Sequence, residues 1–430
     1  MQITRTSGLV ALLAVGALTL SACGSDSNTA ATPSTSSSTS SSAAVVAPSS
    51  TAPSSSAPAM SSGPATSAMT SGPATSAMTS GPATSGAMTS GASSSAAPTG
   101  GLTFAGSGFT CATGSLRSSG STAQGTVIAQ WIKDYNAKCG ATINTYGGGG
   151  SGKGVTDFTS NQTDFGGSDS ALKTAQFADA KSKRCNNNDA IDLPMVTGPI
   201  ALSYNLSGVS KLILTPAVLV GIFGGKITKW NDAAIAAINP GTTLPDLAIA
   251  TVHRSDSSGT TDNFTKYLTA AGGWTFEGGK SWTAPGGTGS AGSDGVAKSI
   301  GSTTGAIGYV EWGFAQSNKL SIAEIDNGAG AVELTAETAG KAVAAAKIVG
   351  TGKDLTLKVD YAAKTAGAYP VILVTYEVVC SAGNGDKAAL LKSFLGYTAT
   401  DGQTSLATIG AAPLPAEIQA KVVEAVKTLA

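Results

Sequence analysis

The stretch HRSDSSGTTDNF, residues 253–264, follows the strand-like run LAIATV and leads into Phe264, Tyr267 and Leu268, which share one face at helical spacing. Strand, hydroxyl-and-glycine loop, helix is a unit of an α/β protein. The same unit recurs. SLRSSGSTAQG, residues 115–125, precedes Val127, Ile128, Trp131, Ile132 and Tyr135, an amphipathic helix. TYGGGGSGKG, residues 145–154, lies between ATINTY, which reads as a strand, and GVTDFTS, which can open a helix. TDFGGSDSALK, residues 163–173, ends a short strand with Asp169 ahead of a polar helix containing Leu172 and Phe177. One such loop is ordinarily just a helix cap. Together they point to an anion, because loop amides and helix N-termini present N–H groups and a positive dipole end.

TYGGGGSGKG comes within one side chain of the nucleotide pattern G-x-x-x-x-G-K-[S/T]. Its last position is Gly154, which has no hydroxyl to place on a magnesium ion. A cradle for a smaller anion survives, and a glycine connector competes with it. Lys153 reads as a solvated helix residue.

Further strands are expected in AIGYVEW, residues 306–312, and YPVILVTYEVV, residues 369–379. Helices are expected from Thr215-Pro216, an N-cap with proline in the first turn closed by Gly224-Gly225, and over residues 387–395 and 416–429.

The N-terminus carries Arg5, the apolar run LVALLAVGALTL and LSAC ending at Cys23, which reads as an export signal over residues 1–22. The run is shorter than the about 20 residues of a membrane-spanning helix. LSAC resembles a bacterial lipobox, which implies cleavage before Cys23, lipidation of its thiol, and anchoring at the outer face of the cytoplasmic membrane within the cell envelope. Residues 23–100 are expected to be a disordered spacer. No charged residue lies between Asp26 and Arg117, and SGPATSAMT recurs at Ser62, Ser71 and, with Gly86 inserted, Ser80. The remaining chain exceeds what one core usually serves, so two domains are expected.

The 26 basic and 26 acidic residues cancel, and no basic run offers a nucleic-acid face. Cys111, Cys139, Cys185 and Cys380 remain after Cys23, an even number in an exported chain, and predict two disulfides. Spacing leaves three connectivities open, and Cys139–Cys185 with Cys111–Cys380 is the preferred one. A metal site is not expected, because His253 is the sole histidine and the cysteines are far apart. His253 itself reads as a packed strand-end imidazole.

GGGGSGKGVTDF, TDFGGSDSAL, ITKWND, RSDSSGTTDNFTKYL and AIGYVEW, in this order along the chain, resemble the PstS family, the substrate-binding proteins of bacterial phosphate ABC transporters. The resemblance runs from about Gly106 to the C-terminus. It implies a two-lobed, hinged periplasmic-binding-protein fold, with lobe I over residues 101–197 and 368–430 and lobe II over 198–367. It implies capture of inorganic phosphate by a monomer, delivery to the permease subunits of the importer, and no cofactor. Carried over, the ligands are Ser121, Thr122, Ala123, Ser151, Asp169, Arg254, Ser258, Gly259 and Thr260, with Asp256 orienting Arg254. The sequence departs from the family pattern at Ala123 and Gln124, where an aromatic and a proline are usual, and at Ser257, often a glycine. A binding protein for sulfate or molybdate, a secreted phosphatase and a structural surface lipoprotein are the alternatives. The phosphatase lacks clustered metal ligands, and the lipoprotein leaves the four loops unexplained.

Overall fold

The computed structural model describes residues 103–104 and 107–430. The export signal over residues 1–22, the lipidation of Cys23 and the spacer to residue 100 lie outside the described residues.

The main sheet contains eight strands: β1 Ser118–Gly120, β2 Phe165–Ser168, β3 Ala190–Tyr204, β4 Ala250–Arg254, β5 Thr288–Ser290, β6 Ala306–Glu311, β7 Ser321–Ile322 and β8 Ile372–Cys380. Their order is β1-β2-β8-β3-β6-β4-β5, with β7 also on β3. Every residue of the fifteen-residue β3 is buried. Its early part pairs antiparallel with β8, from Ala190 opposite Cys380 to Pro199 opposite Ile372. Its end changes neighbour, with Ile200 to Tyr204 opposite Glu311 to Ile307 of β6. One strand therefore serves two sets of partners, and β1, β2 and β8 stand on one side of its change-over, β4, β5 and β6 on the other.

Helices α1 Gly125–Cys139, α2 Ser151–Thr159, α3 Thr174–Lys183, α4 Pro216–Phe223, α5 Gly259–Tyr267, α6 Gly292–Ser302, α7 Ala336–Ala344, α8 Ala388–Ala399 and α9 Ala416–Lys427 cover the sheet. α1 buries Val127, Ile128, Trp131, Ile132 and Tyr135, the face that the sequence spacing marks out, and ends on left-handed Gly140. α4 starts as its sequence predicts, with the Thr215 hydroxyl accepting from the Val218 amide and Pro216 in the first turn. Tyr135 meets Phe394 of α8 edge-on at 5.3 Å. Beyond the change-over, Phe264 packs on Phe223 at 5.0 Å and on Tyr309 at 4.5 Å.

Two expectations need correction. ATINTY is not a regular strand: it runs extended beside residues 114–118, with Thr142 donating to the Gly114 carbonyl and Asn144 to that of Leu116. The glycines that follow turn the chain before a ladder is established. The disulfides join Cys111 to Cys139 and Cys185 to Cys380, not Cys139 to Cys185 and Cys111 to Cys380. The cause lies in tertiary pairing. Cys139 closes α1 on the side where Tyr135 donates its hydroxyl to the Ala112 carbonyl, while Cys380 stands opposite Ala190, just after the turn that contains Cys185.

The bridges close loops of 28 and 195 residues. By chain entropy, opening Cys185–Cys380 costs about 5 kcal/mol and opening Cys111–Cys139 about 3.5 kcal/mol. Denaturant midpoints of the two double serine variants are expected to fall in that order, and peptide mapping of the oxidised protein is expected to return these two pairs.

Candidate anion site

The N-termini of α2 and α5 and the loop ahead of α1 meet around a buried carboxylate, and the start of α6 joins them through Arg254 and Thr122. Asp169, 2 % exposed, follows the last residue of β2. Its Oδ1 accepts the hydroxyls of Ser121 at 2.5 Å and Thr375 at 2.7 Å, and its Oδ2 accepts that of Ser151 at 2.9 Å. Asn263 of α5 donates to its carbonyl at 2.6 Å. Asp169 is no helix cap, since α3 begins only at Thr174 after Lys173. Burial pushes its pKa up, the nearby Glu311 charge adds to that, and the three hydroxyls oppose it.

On the far side of this carboxylate, α5 begins at Gly259, where an added Cβ would stand 2.4 Å from Ser151 Oγ and 2.6 Å from Asp169 Oδ2. Only glycine permits that approach. The Ser258 hydroxyl caps the helix by accepting from the Thr261 amide, and the Ser258 carbonyl accepts from Asp262. That leaves the Gly259 and Thr260 amides, which have no partner inside the helix, and the Ser258 O–H as donors. Charged partners favour such an N-terminus when they are anions.

Arg254, the last residue of β4, is 3 % exposed. Its Nε donates to Asp256 Oδ1 at 2.7 Å and its Nη2 to Oδ2 at 2.5 Å, and its Nη1 reaches Thr260 Oγ1 and Ser293 Oγ, each at 3.3 Å. Asp256 thus occupies the Nε–Nη2 edge of the guanidinium fork, so a ligand would approach the Nη1–Nη2 edge, where one N–H of Nη2 is unassigned and the two of Nη1 rest on the hydroxyl oxygens of Thr260 and Ser293 at 3.3 Å. Burial alone would raise the Asp256 pKa, but the paired bonds from Arg254 hold its carboxyl below the usual range. Burial likewise works against the charge on Arg254, and Asp256 with Glu311 outweighs it.

The structure brings Ser121, Ser151, Asp169, Arg254, Ser258, Gly259 and Thr260 into this one place. Thr122 is displaced from it by one layer. Its Oγ1 lies 2.9 Å from Ser293 Oγ and accepts from the Ser293 amide at 3.2 Å, so it reaches Arg254 only through Ser293. Ala123 is buried and turns its amide onto Ser121 Oγ at 3.1 Å. Ser257 is exposed, and its carbonyl accepts the Gly152 amide at 3.0 Å. Lys153 pairs with Asp157 on the surface, and His253 stacks on Trp282 at 5.2 Å.

Thr375, Asn263, Ser293, Lys280 and Glu311 escaped the sequence reading. Glu311 ends β6 and Thr375 sits mid-strand in β8, and the signal for both is a polar residue inside an otherwise apolar buried strand. Lys280 reaches Ser168 Oγ at 3.4 Å; burial lowers its pKa, while the Asp169 and Asp262 charges raise it. Among the described residues no cluster of three or more histidines, cysteines and carboxylates could hold a metal.

A domain of the PBP superfamily matches residues 25–401, which sets the class: an α/β binding protein of that superfamily. Phosphate-binding protein PstS 3 of Mycobacterium tuberculosis strain H37Rv is 43 % identical over 324 residues, 74 % of this chain and 87 % of the relative. The chain belongs to the PstS family. Among solved structures, a high-affinity periplasmic phosphate-binding protein bound with phosphate superposes with a TM-score of 0.59 at 21 % identity, over 72 % of this chain and 92 % of its own. The phosphate-binding protein of Stenotrophomonas maltophilia does so with a TM-score of 0.56 at 19 % identity, over 73 % and 94 %. These superpositions speak to the fold.

Behind the site, Glu377 of β8 is buried opposite Gly167 and Leu193, and neither of its carboxyl oxygens has a hydrogen-bond partner. Burial pushes its pKa up to about 8, opposed by the neighbouring Gln124 amide and helped by the Asp169 charge. The unfolded chain releases this proton near the ordinary value of 4.5, whereas the folded chain keeps it to about pH 8, so stability falls as pH rises between those values. Glu377→Gln is expected to flatten that fall and to stabilise the protein at alkaline pH by on the order of 4 kcal/mol, as read from urea melts at several pH values.

Proposed function

We propose that this protein is an extracytoplasmic binding protein that captures one inorganic phosphate between two lobes and passes it to the permease subunits of a phosphate ABC importer. It performs no chemistry on its ligand. Lobe I comprises residues 101–197 and 368–430 and lobe II residues 198–367, so Ser121, Ser151 and Asp169 face Arg254, Ser258, Gly259 and Thr260 across the cleft. The change of partners along β3 near Pro199 and Ile200 supports that division. A lipid on Cys23 tethers the monomer outside the cytoplasmic membrane.

The observation that carries this reading is the buried Asp169 carboxylate. A carboxylate has about four acceptor sites, and three are taken by Ser121, Ser151 and Thr375. The fourth suits a ligand oxygen that still bears a proton. Phosphate near neutral pH keeps one or two protons, whereas sulfate has none and would bring only lone pairs against Asp169. A buried acceptor facing lone pairs costs about 1 to 3 kcal/mol, and more when charged. This favours phosphate over the sulfate or molybdate alternative. The relatives' names, which say that they bind phosphate, agree with it.

Calorimetric titration of phosphate-stripped protein is expected to show one-to-one phosphate binding and no binding of sulfate. Asp169→Asn is expected to retain phosphate and admit sulfate, because its amide can donate to either anion and the serine hydroxyls can turn to suit it. Sulfate exclusion that survives in this variant would remove Asp169 from selectivity.

Arg254→Lys replaces a planar fork by a point charge and gives up one charge-assisted bond of the pair. Affinity is expected to fall about ten- to a hundredfold, equivalent to roughly 1.5 to 3 kcal/mol, in the same titration.

A further inference from the structure

Glu311 ends β6 with a side chain at 3 % exposure. Its Oε1 accepts the Thr260 hydroxyl at 2.5 Å, and its Oε2 is buried without a hydrogen-bond partner. Thr260 is thereby committed on both sides, since its oxygen also accepts Arg254 Nη1 at 3.3 Å. Its hydroxyl proton is spent on Glu311, and only its amide is left for an anion. A buried carboxyl oxygen without a partner is unfavourable, and near an anion the group that satisfies it must bring a proton.

Resting on the phosphate reading above, we propose that Glu311 is a second carboxyl ligand of the anion, holding one proton in common between its Oε2 and a phosphate oxygen. Asp169 uses the proton that the HPO4 dianion already carries. The proton at Glu311 is an additional one, taken from solvent on binding.

The surroundings of Glu311 call for that proton. From β4 it faces Arg254, which is already neutralised by Asp256, and from the end of β2 it feels Asp169. On its own strand the Tyr309 hydroxyl accepts from the Arg254 amide and is paired with the Thr261 hydroxyl. Asp262 of α5 is paired with Lys266, Asp294 of α6 is paired with Lys298, and Ile200 lies opposite on β3. The helix that follows, Trp312–Ser317, carries no charged side chain. Lys280 answers the Asp169 charge as Asp256 answers that of Arg254, so Glu311 meets the dianion as the uncancelled negative charge, and one shared proton removes it. The stoichiometry is the same whether that proton is drawn on the carboxyl beside the dianion or on the ligand as the monoanion.

The complex then holds one proton more than the separate carboxylate and dianion, so affinity falls about tenfold per pH unit at alkaline pH. In Glu311→Gln the amide oxygen still accepts from Thr260 and the amide N–H serves the anion, with no proton to share. Inorganic phosphate is titrated into phosphate-stripped full chain by calorimetry, from about pH 6 to about pH 9, in two buffers of different ionisation heat. The expected result is uptake of close to one proton by wild type at the alkaline end and close to none by the glutamine variant, with similar affinities at the acid end. Equal uptake by both, or none by wild type, overturns the proposal. If Glu311→Gln fails to fold, as judged by circular dichroism, Asp169→Asn decides: it must keep the uptake, and losing it assigns the proton to Asp169. No phosphate heat from folded wild type at any pH would instead sink the phosphate reading itself.

Discussion

The site depends on keeping the carboxyl group of Asp169 at 2 % exposure without leaving it unsatisfied. An isolated buried charge is prohibitive, and hydroxyl donors are what make it tolerable. The donors come from three separated segments, Ser121 after β1, Ser151 at the start of α2 and Thr375 in β8. Bringing those together requires β1, β2 and β8 to be adjacent, which is their order in the sheet. The buried charge and the strand order thus constrain each other. A sheet that separated β2 from β8 would strand the carboxylate.

Arg254 poses the opposite problem, and it is solved within two residues. Asp256 neutralises the guanidinium from one edge, so the arginine is fixed in direction before any ligand arrives, and its rotamer entropy is already lost. The same Asp256 accepts the Gly292 amide at 3.0 Å, which ties the start of α6 to the Arg254 loop. Net attraction for an anion then comes less from formal charge, which this pair cancels, than from amides and helix N-termini pointed inward. A chain with equal numbers of acidic and basic residues can hold an anion in this way.

The strand-loop-helix units around residues 121, 151 and 259 were legible because local chemistry dictates them: a hydroxyl cap, glycine for close approach, then a helical apolar face. The loop residues named from the sequence fall largely together for that reason. What could not be read is whatever depends on long-range pairing. The Cys185–Cys380 disulfide follows from the register of β8 on β3, which places Cys380 beside Ala190, and spacing carries no trace of that register. Glu311 and Thr375 contribute from apolar strands, where a lone polar residue reveals burial but not which neighbour it meets. Thr122 shows the same limit within a loop, since the neighbour that takes its hydroxyl, Ser293, lies 171 positions away.

The glycine run at residues 147–154 has its explanation in packing, not in a nucleotide. A Cβ on Gly150 would stand 2.5 Å from Asp256 Oδ2 and 2.7 Å from the Ser257 carbonyl oxygen, and one on Gly152 would stand 2.1 Å from Ser257 Oγ. On its inner side, a Cβ on Gly154 would meet the Gly167 carbonyl oxygen at 2.4 Å and the Gly120 Cα at 2.7 Å. The first turn of α2 is therefore pressed between β1 and β2 behind it and the Arg254 loop in front. Gly154, the position where a nucleotide loop needs a hydroxyl for magnesium, is held to glycine by backbone contact with β2. The same residue that spoils the nucleotide pattern is what lets Ser151 come close enough to donate to Asp169.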